Sequence, residues 1–547
     1  MNETHAQKSP WRKWRVPLAA LGAGLVAATV ATMSAGAAET GGSTGSAGSG
    51  SAPVVTTDAG AVRGTAVPGA YTFRGLPYAA APTGDLRWQP PHPAEHWKDV
   101  RDAAAYAPSC PQPMSTTAGA QSEDCLYLNV TTPGPDEHRR DGQHRPVIVW
   151  FHGGGLVTGA GRDYDPSKLA AEGSVVVTVN YRLGALGFLA HPALAARDGS
   201  SGNYGLMDQQ AALRWVQRNI GRFGGNPHEV AIAGESAGGE SVLAHLTSPG
   251  SRGLFQRAIV QSGTFALNQL PLTKAEDDGR TFANTVDCTD QSADCLRKVP
   301  VEKLVAKYPP SYPRAAIVDG KVLKESIGTS LAAGRFARVP VLNGSNHEEE
   351  QIILATHVTL HDGAYALLPP GGVTAGNYQQ TIASALGVTD ARAKAVADEY
   401  PLVSYASPAA ALGTLLGDAD FSFTAAQVDQ WISKRAPAYA YEFNDDAAPA
   451  RYLKTNPPVA THLSELPYLF DLPDAPLQDP FSADQDKLAK SMRAAWIHFA
   501  ATGNPSTAAV HWPSFHNTAD VKSLVPPTPV DEKDFATRHH YAFWSAG

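Results

Sequence analysis

The stretch Ala231-Ile232-Ala233-Gly234-Glu235-Ser236-Ala237-Gly238-Gly239 constrains the fold more tightly than any other part of the chain. A short apolar run, Val230 to Ala233, enters it as a strand, and Gly234 to Gly238 follows as Gly-x-Ser-x-Gly. Small residues then lead into Ser241-Val242-Leu243-Ala244, the start of a buried helix. A strand feeding a helix through so tight a turn forces its central residue into a strained conformation, and only glycines let the backbones pass that closely. The turn lifts the hydroxyl of Ser236 clear of the sheet. It also sets it at a helix N-terminus, where partial positive charge can meet an oxyanion. The same pattern also arises by chance as a plain glycine-rich turn, so the rest of the chain decides its meaning.

The 547 residues are 43% hydrophobic and 18% charged, a globular balance with length enough for a large core. Length alone suggests about three domains. The 44 basic residues are outnumbered by 52 acidic ones, net −8, and no basic run lies outside the N-terminus, so nothing attracts nucleic acid. Lys8, Arg12, Lys13 and Arg15 precede an apolar run from Val16 to Met33, and Ala35-Gly36-Ala37 offers a small-residue cleavage site. That order describes a secretory signal peptide over 1–37. The alternative is a retained anchor, but the run is near the minimum length for spanning and is rich in Ala and Gly. No stable membrane insertion is therefore expected after its removal, and the chain reads as secreted. Residues 38–52, nearly all Gly, Ser, Ala and Thr, read as a flexible linker, and 53–547 as the folded part.

Four cysteines fall in two close pairs, Cys110 with Cys125 and Cys288 with Cys295. An even count in an exported chain suggests disulfides; three connectivities are open, and neighbour pairing is the simplest. A metal site is poorly supported, because Cys-x-x-Cys and His-Glu-x-x-His are both missing. Pro146 to Phe151 is a buried-strand signature that runs directly into His152-Gly153-Gly154-Gly155. Consecutive glycines at a strand end leave backbone N–H groups free to converge on one anion. A phosphate loop is the competing reading, but no Gly-Lys-Ser/Thr follows and no dinucleotide fingerprint is present. Val175 to Val179 reads as another buried strand and Gln210 to Asn219 as a helix, ahead of the strand that carries Ser236. Strands alternating with helices predict a largely parallel sheet, with the active site beyond the carboxyl ends of its strands.

The chain resembles the type-B carboxylesterases, α/β-hydrolases that include cholinesterases and bile-salt lipases. The resemblance rests on Phe73 to Ala79, Ser122 to Asn129, His152 to Gly155, Asn180-Tyr181-Arg182-Leu183-Gly184, Gly202 to Gln209, Phe223 to Pro227 and the serine motif. It returns in Trp496 and in Thr502-Gly503-Asn504-Pro505, and so spans about residues 55 to 545. It implies an α/β-hydrolase fold: a central, mostly parallel sheet flanked by helices, with helical insertions over the cleft, as one catalytic domain over 53–547. The stretches near 265–335 and 355–430 carry no catalytic motif and are expected to wall the cleft.

The resemblance also implies a base and an acid for Ser236, in the chain order Ser, Asp or Glu, His. The strand Val339 to Leu342 ends at Asn343-Gly344-Ser345-Asn346-His347-Glu348-Glu349-Glu350, a stretch similar to the family's Gly-x-Asn-x-(Asp/Glu)-Glu-Gly, which places the acid at Glu349. Glu350 stands where the family has Gly, and a solvated acidic run is the plain reading of Glu348 and Glu350. Thr461 to Phe470 is similar to the family's His-Gly-x-Glu-Leu-Pro-Tyr-x-Phe, which places the base at His462, with Leu463 in place of the Gly. His347 and His498 are the rival histidines. N–H groups of Gly154, Gly155 and Ala237 resemble the oxyanion hole, and Glu235 and Ser262 resemble groups that support the triad from behind.

The implied function is secreted hydrolysis of small, mostly uncharged carboxylic esters through an acyl-enzyme, with no metal or organic cofactor. No aromatic residue lies between Cys110 and Cys125, where cholinesterases carry a choline-binding tryptophan, which argues against choline esters. A lipase acting on acylglycerols or sterol esters is one alternative. A binding protein on the same fold is another, disfavoured because Ser236, Glu349 and His462 are all present. Oligomeric state is not readable.

Overall fold

Successive residues of the valine-rich runs point to opposite faces of one sheet, and both faces are covered. The computed structural model describes residues 53–113, 119–134, 144–195, 199, 201–308, 316–352, 358–361 and 364–547. The signal peptide and linker expected over 1–52 lie outside the described residues. In chain order the sheet is built from β1 Thr65–Val67, β2 Ala70–Pro77, β3 Tyr127–Pro133, β4 Arg145–Phe151, β5 Val175–Val179 and β6 Gly225–Glu235. It continues with β7 Arg257–Gln261, β8 Val341–Asn346, β9 Ala438–Phe443, β10 Val521–Leu524 and β11 Val530–Asp531. Their spatial order is β11-β10-β9-β8-β7-β6-β4-β5-β3-β2-β1. The stretch from β10 to β5 is parallel throughout, with antiparallel strands at both edges. This is the α/β-hydrolase architecture the sequence implied.

The period of two explains the two cores. Val147, Val149 and Phe151 of β4 join one cluster with Val175, Val177 and Val179 of β5. Ile148 and Trp150 join the other with Val176. On the first face lie α1 (Tyr204–Asn219) and α2 (Ala237–Thr247), contributing Leu213, Val216, Val242 and Leu243. On the second lies α5 (Ala483–Thr502), contributing Leu488, Met492, Trp496 and Phe499. A parallel sheet covered by helices on both faces has no wet side, so its strands are apolar runs rather than alternating ones.

Two boundaries differ from expectation for physical reasons. Helix α1 begins at Tyr204 rather than Gln210, because its first two turns are buried all round and show no polar stripe. Strand β8 runs on through Asn343-Gly344-Ser345-Asn346, polar residues that read as a loop but pair in register with Ala440 to Phe443 of β9. The two insertions supply helices as expected, including α3 (Pro408–Gly417) and α4 (Phe423–Ser433). The second also carries a two-stranded hairpin, Val358–His361 with Ala364–Leu367. The cysteines pair as neighbours, Cys110 with Cys125 and Cys288 with Cys295.

The loop after β5 is tied to α1 by a buried ion pair. Arg182 Nε and Nη2 each donate to Asp208 at 2.7 Å, and the Arg182 backbone N–H adds a third bond at 3.1 Å. Both side chains are almost wholly buried. Breaking such a pair leaves an uncompensated charge in the core, a loss of about 3–5 kcal/mol. Asp208→Asn should therefore lower the unfolding free energy from urea denaturation by an amount in that range, whereas Arg63→Ala, which breaks an exposed pair with Asp102, should change it by less than about 1 kcal/mol.

Candidate active site

The parallel strands put their carboxyl ends along one edge, and the expected site residues follow four of them. Ser236 follows β6 at φ 56°, ψ −125°, a conformation that non-glycine residues rarely adopt. A Cβ on Gly238 would lie 2.0 Å from the carbonyl oxygen of Phe151. The glycine lets the elbow of β6 lie directly against the end of β4. The Ser236 N–H donates to Gln261 O at 2.9 Å, which ties the turn to β7.

The glycine loop after β4 stands beside this elbow. Gly154 and Gly155 have φ of 98° and 62°, and neither N–H donates a hydrogen bond among the described residues. Ala237 is the first residue of α2, so its N–H has no acceptor within the helix. His152 shapes the loop without being charged. Burial pulls its pKa down to about 4, its ring stacks on Tyr181, and the Tyr181 hydroxyl donates to the His152 carbonyl at 2.6 Å.

Glu349, just beyond β8, is fully buried. Its Oε1 accepts from Ser262 Oγ at 2.5 Å and from the Asn346 N–H at 2.7 Å, and its Oε2 meets His462 Nδ1 at 2.6 Å. The His462 N–H also donates to the Glu349 carbonyl at 3.1 Å, so the two residues are joined through main chain as well as side chain. Leu463 adopts φ 76°, the conformation that suits the family's glycine at that position. The substitution is thus taken up as backbone strain beside the imidazole, with the side chain packed against the second core cluster. Ser262 is strained too, at φ 48°.

The rivals separate cleanly. His498 is exposed on α5 and bonds Asn504 O at 2.8 Å. His347 packs its ring against His539. The acidic run is not solvated: Glu350 is buried, and Glu348 accepts from Thr414 and Gln351. Buried strand ends, not charge repulsion, place these carboxylates, and only Glu349 reaches the imidazole.

One expected contact is not made. No hydrogen bond joins Ser236 Oγ to His462, whose Nε2 lies 3.1 Å from Glu235 Oε1 at an angle unsuited to hydrogen bonding. Burial opposes charge on His462, yet the carboxylates of Glu235 and Glu349 outweigh it and raise its pKa. Burial holds Glu235 well above the usual carboxylate range, against the pull of His462, with Glu465 and Glu349 pushing it further up. A neutral Glu235 removes the charge that does most to raise His462, so the pair is best described as sharing one proton.

Glu465, which fills the Glu of the motif that begins at His462, is the residue to which motif reading gave no role. Fully buried, it accepts from Asn346 Nδ2 at 2.8 Å and Gln261 Nε2 at 3.1 Å, and burial raises its pKa. Gln261 also accepts from Trp496 Nε1 at 3.0 Å, which accounts for that tryptophan. Its signal was an acidic residue inside an apolar stretch, Leu463 to Phe470. Beside the imidazole opens a cavity of about 310 Å³ lined by Tyr452, Val459, His462, Leu463 and Ser464, with Arg451 and Lys454 at its edge.

The carboxylesterase family model matches residues 51–544. Para-nitrobenzyl esterase of Bacillus subtilis (strain 168) is 35% identical over 489 residues, covering 85% of this chain and 92% of that protein. Cocaine esterase of Homo sapiens is 34% identical over 491 residues, covering 85% and 86%. A solved thermophilic PNB esterase superposes with a TM-score of 0.76 at 32% identity, covering 90% of this chain and all of that one. With strand order, elbow and carboxyl-edge cleft in agreement, the chain belongs to the carboxylesterase family and is a carboxylic-ester hydrolase.

Proposed function

We propose that the chain is an exported serine esterase that acts on small, mostly uncharged carboxylic esters through an acyl-enzyme on Ser236. The observation that carries this reading is the meeting of three separate segments at one sheet edge: the strained serine after β6, the glycine loop after β4, and the Glu349–His462 pair at 2.6 Å.

Donation from Nδ1–H to Glu349 fixes the tautomer in which Nε2 is the proton acceptor. A bound ester brings Ser236 Oγ and Nε2 together, since such contacts are often loose until substrate binds. His462 then takes the hydroxyl proton as Ser236 attacks the carbonyl carbon. The oxygen that gains charge is met by the N–H groups of Gly154, Gly155 and Ala237, and losing one such donor raises the barrier by about 2.7–4 kcal/mol. The imidazolium, steadied by Glu349, gives its proton to the departing alcohol. Water activated by the same imidazole then releases the acid.

The cavity beside His462 supports small substrates; of its two cations, Lys454 pairs with the Asp479 carboxylate, while Arg451 donates to the backbone carbonyls of Ala450 and Asp479. The large apolar residues exposed among the described residues are scattered valines, Val54, Val100, Val403 and Val530, not the broad apolar mouth a lipase needs. Relatives named for para-nitrobenzyl and cocaine esters support small organic esters as substrates. Export is supported by the tripartite N-terminus and by two disulfides, which persist in oxidising compartments.

Purified protein assayed on p-nitrophenyl acetate, butyrate, octanoate and palmitate should show its highest kcat/KM on the shorter chains. Ser236→Ala should lower kcat by roughly 10⁴-fold or more. A peak on palmitate supports the lipase reading, and undiminished turnover in the variant removes Ser236 from the mechanism. The acid limb of kcat/KM reports the protonation of His462. With Glu235 neutral in the working enzyme, Glu235→Gln should leave that limb within about 0.3 pH unit. A charged Glu235 holds the imidazole pKa up, so its removal would instead move the limb down by about a unit or more.

A further inference from the structure

Between α3 and α4 the chain makes a five-residue π-helical turn, Asp418–Ser422. Such turns are rare and are seldom placed without a local cause. Its residues divide two spaces. Phe421, fully buried, packs on Phe265 and on the imidazole of His462, each with ring centroids 5.5 Å apart. Ala419 and Asp420 line a second cavity of about 580 Å³, together with Phe265, Phe423, Trp431 and Trp544. The turn therefore stands between His462 and a larger space whose lining mixes aromatic side chains with polar ones, Arg392 and Gln427 among them. Phe265 lies two residues after Gly263, which packs against Gly239 at the start of α2. If the cavity lined by His462 receives the alcohol that collects the imidazole's proton, the side walled by Phe265 and Phe421 is left to the acyl chain.

What holds the partition comes from the far end of the chain. Asp418, the first residue of the turn, accepts from His539 Nδ1 at 2.5 Å through one oxygen and from Tyr400 OH at 2.7 Å through the other. The other ring nitrogen of His539 bonds Glu442 on β9. Trp544 Nε1 donates to the Tyr400 hydroxyl at 2.8 Å, and Arg538 pairs with Glu442 at 3.1 Å and with Glu532 at 2.7 Å. His539, Asp418 and Glu442 are each at most 2% exposed. An imidazole bonded to two buried carboxylates fixes both in space, one on the rigid sheet and one on the turn.

We propose that His539 is the positioning residue for this partition and that, through Asp418, it sets how long an acyl chain the cleft admits. The inference rests on the esterase reading above for its substrate, but not for its mechanical part. Loosening Asp418 lets Phe421 yield toward the space behind it, so longer chains gain room while the reacting groups stay in place.

The test compares His539→Gln, Tyr400→Phe and Glu399→Gln. The last removes the partner of His540, one residue along, without touching Asp418. In His539→Gln and Tyr400→Phe the octanoate-to-acetate ratio of kcat/KM should rise by about tenfold, mostly through KM, with acetate kcat within about threefold of the parent. Backbone hydrogen exchange in the peptide covering residues 418–424 should speed up by about tenfold in the same two variants and not in Glu399→Gln. An unchanged ratio with unchanged exchange overturns the proposal. So does an equal loss on every ester with faster exchange along the whole chain, which marks a purely structural role. If His539→Gln does not fold, Tyr400→Phe decides alone. If the parent protein turns over no ester, the esterase reading falls, and unchanged exchange at 418–424 still overturns the positioning claim.

Discussion

The contact of Gly238 with the carbonyl of Phe151 is the constraint on which the site depends. It exists because β4 and β6 are neighbours, with Phe151 opposite Gly234, although β5 lies between them in sequence. The neighbouring strands deliver the glycine loop and the serine elbow to the same point. The elbow must then bend at Ser236 through a positive φ, which costs on the order of 1–3 kcal/mol. Burial of the surrounding strands and helices holds that strain in place. In the proposed mechanism the nucleophile and the anion-binding donors thus form one rigid unit before any substrate arrives, and electrostatic stabilisation by groups already in place needs no reorganisation during reaction.

A second constraint is electrical. Glu235, Glu349 and Glu465 are all fully buried within reach of one histidine. Three carboxylates cannot all stay ionised in so dry a place, because the desolvation penalty is several kcal/mol per ion. The structure resolves this by unequal hydrogen bonding. Glu349 accepts three hydrogen bonds through its carboxylate, from Ser262, Asn346 and His462. Glu465 accepts two, while Glu235 accepts none and is pushed hardest toward its neutral form. In the proposed mechanism Glu349 orients the base, and Glu235 shares a proton with Nε2 rather than facing it with a full competing charge.

The catalytic edge was legible because its local chemistry is restrictive. A glycine–serine–glycine turn after an apolar run, and three glycines after another, permit few backbone paths, and the valine runs of β4 and β5 stood out as strands buried on both faces. Less legible were features settled by tertiary contacts. The polar end of β8 looked like a loop because its hydrogen bonds go to β9, and the first turns of α1 hid because burial all round erases the helical period. The run Glu348 to Glu350 looked solvated because sequence does not show that strand ends bury it. Leu463 showed in the sequence only as a departure from the family's glycine, and the backbone strain that it carries is a property of the folded loop. The π-helical turn and its tie to His539, some 120 residues later, leave no local pattern at all.

The central claim is that chemistry passes through a covalent bond to Ser236. The most direct measurement is rapid acid quenching during turnover of p-nitrophenyl acetate, followed by mass spectrometry of the peptide that spans residues 231–239. The account predicts one acetyl group on Ser236 at early times, decaying as substrate is exhausted and missing in His462→Gln. Full turnover with Ser236 unmodified at every time point, or with the acetyl group on another residue, would contradict it.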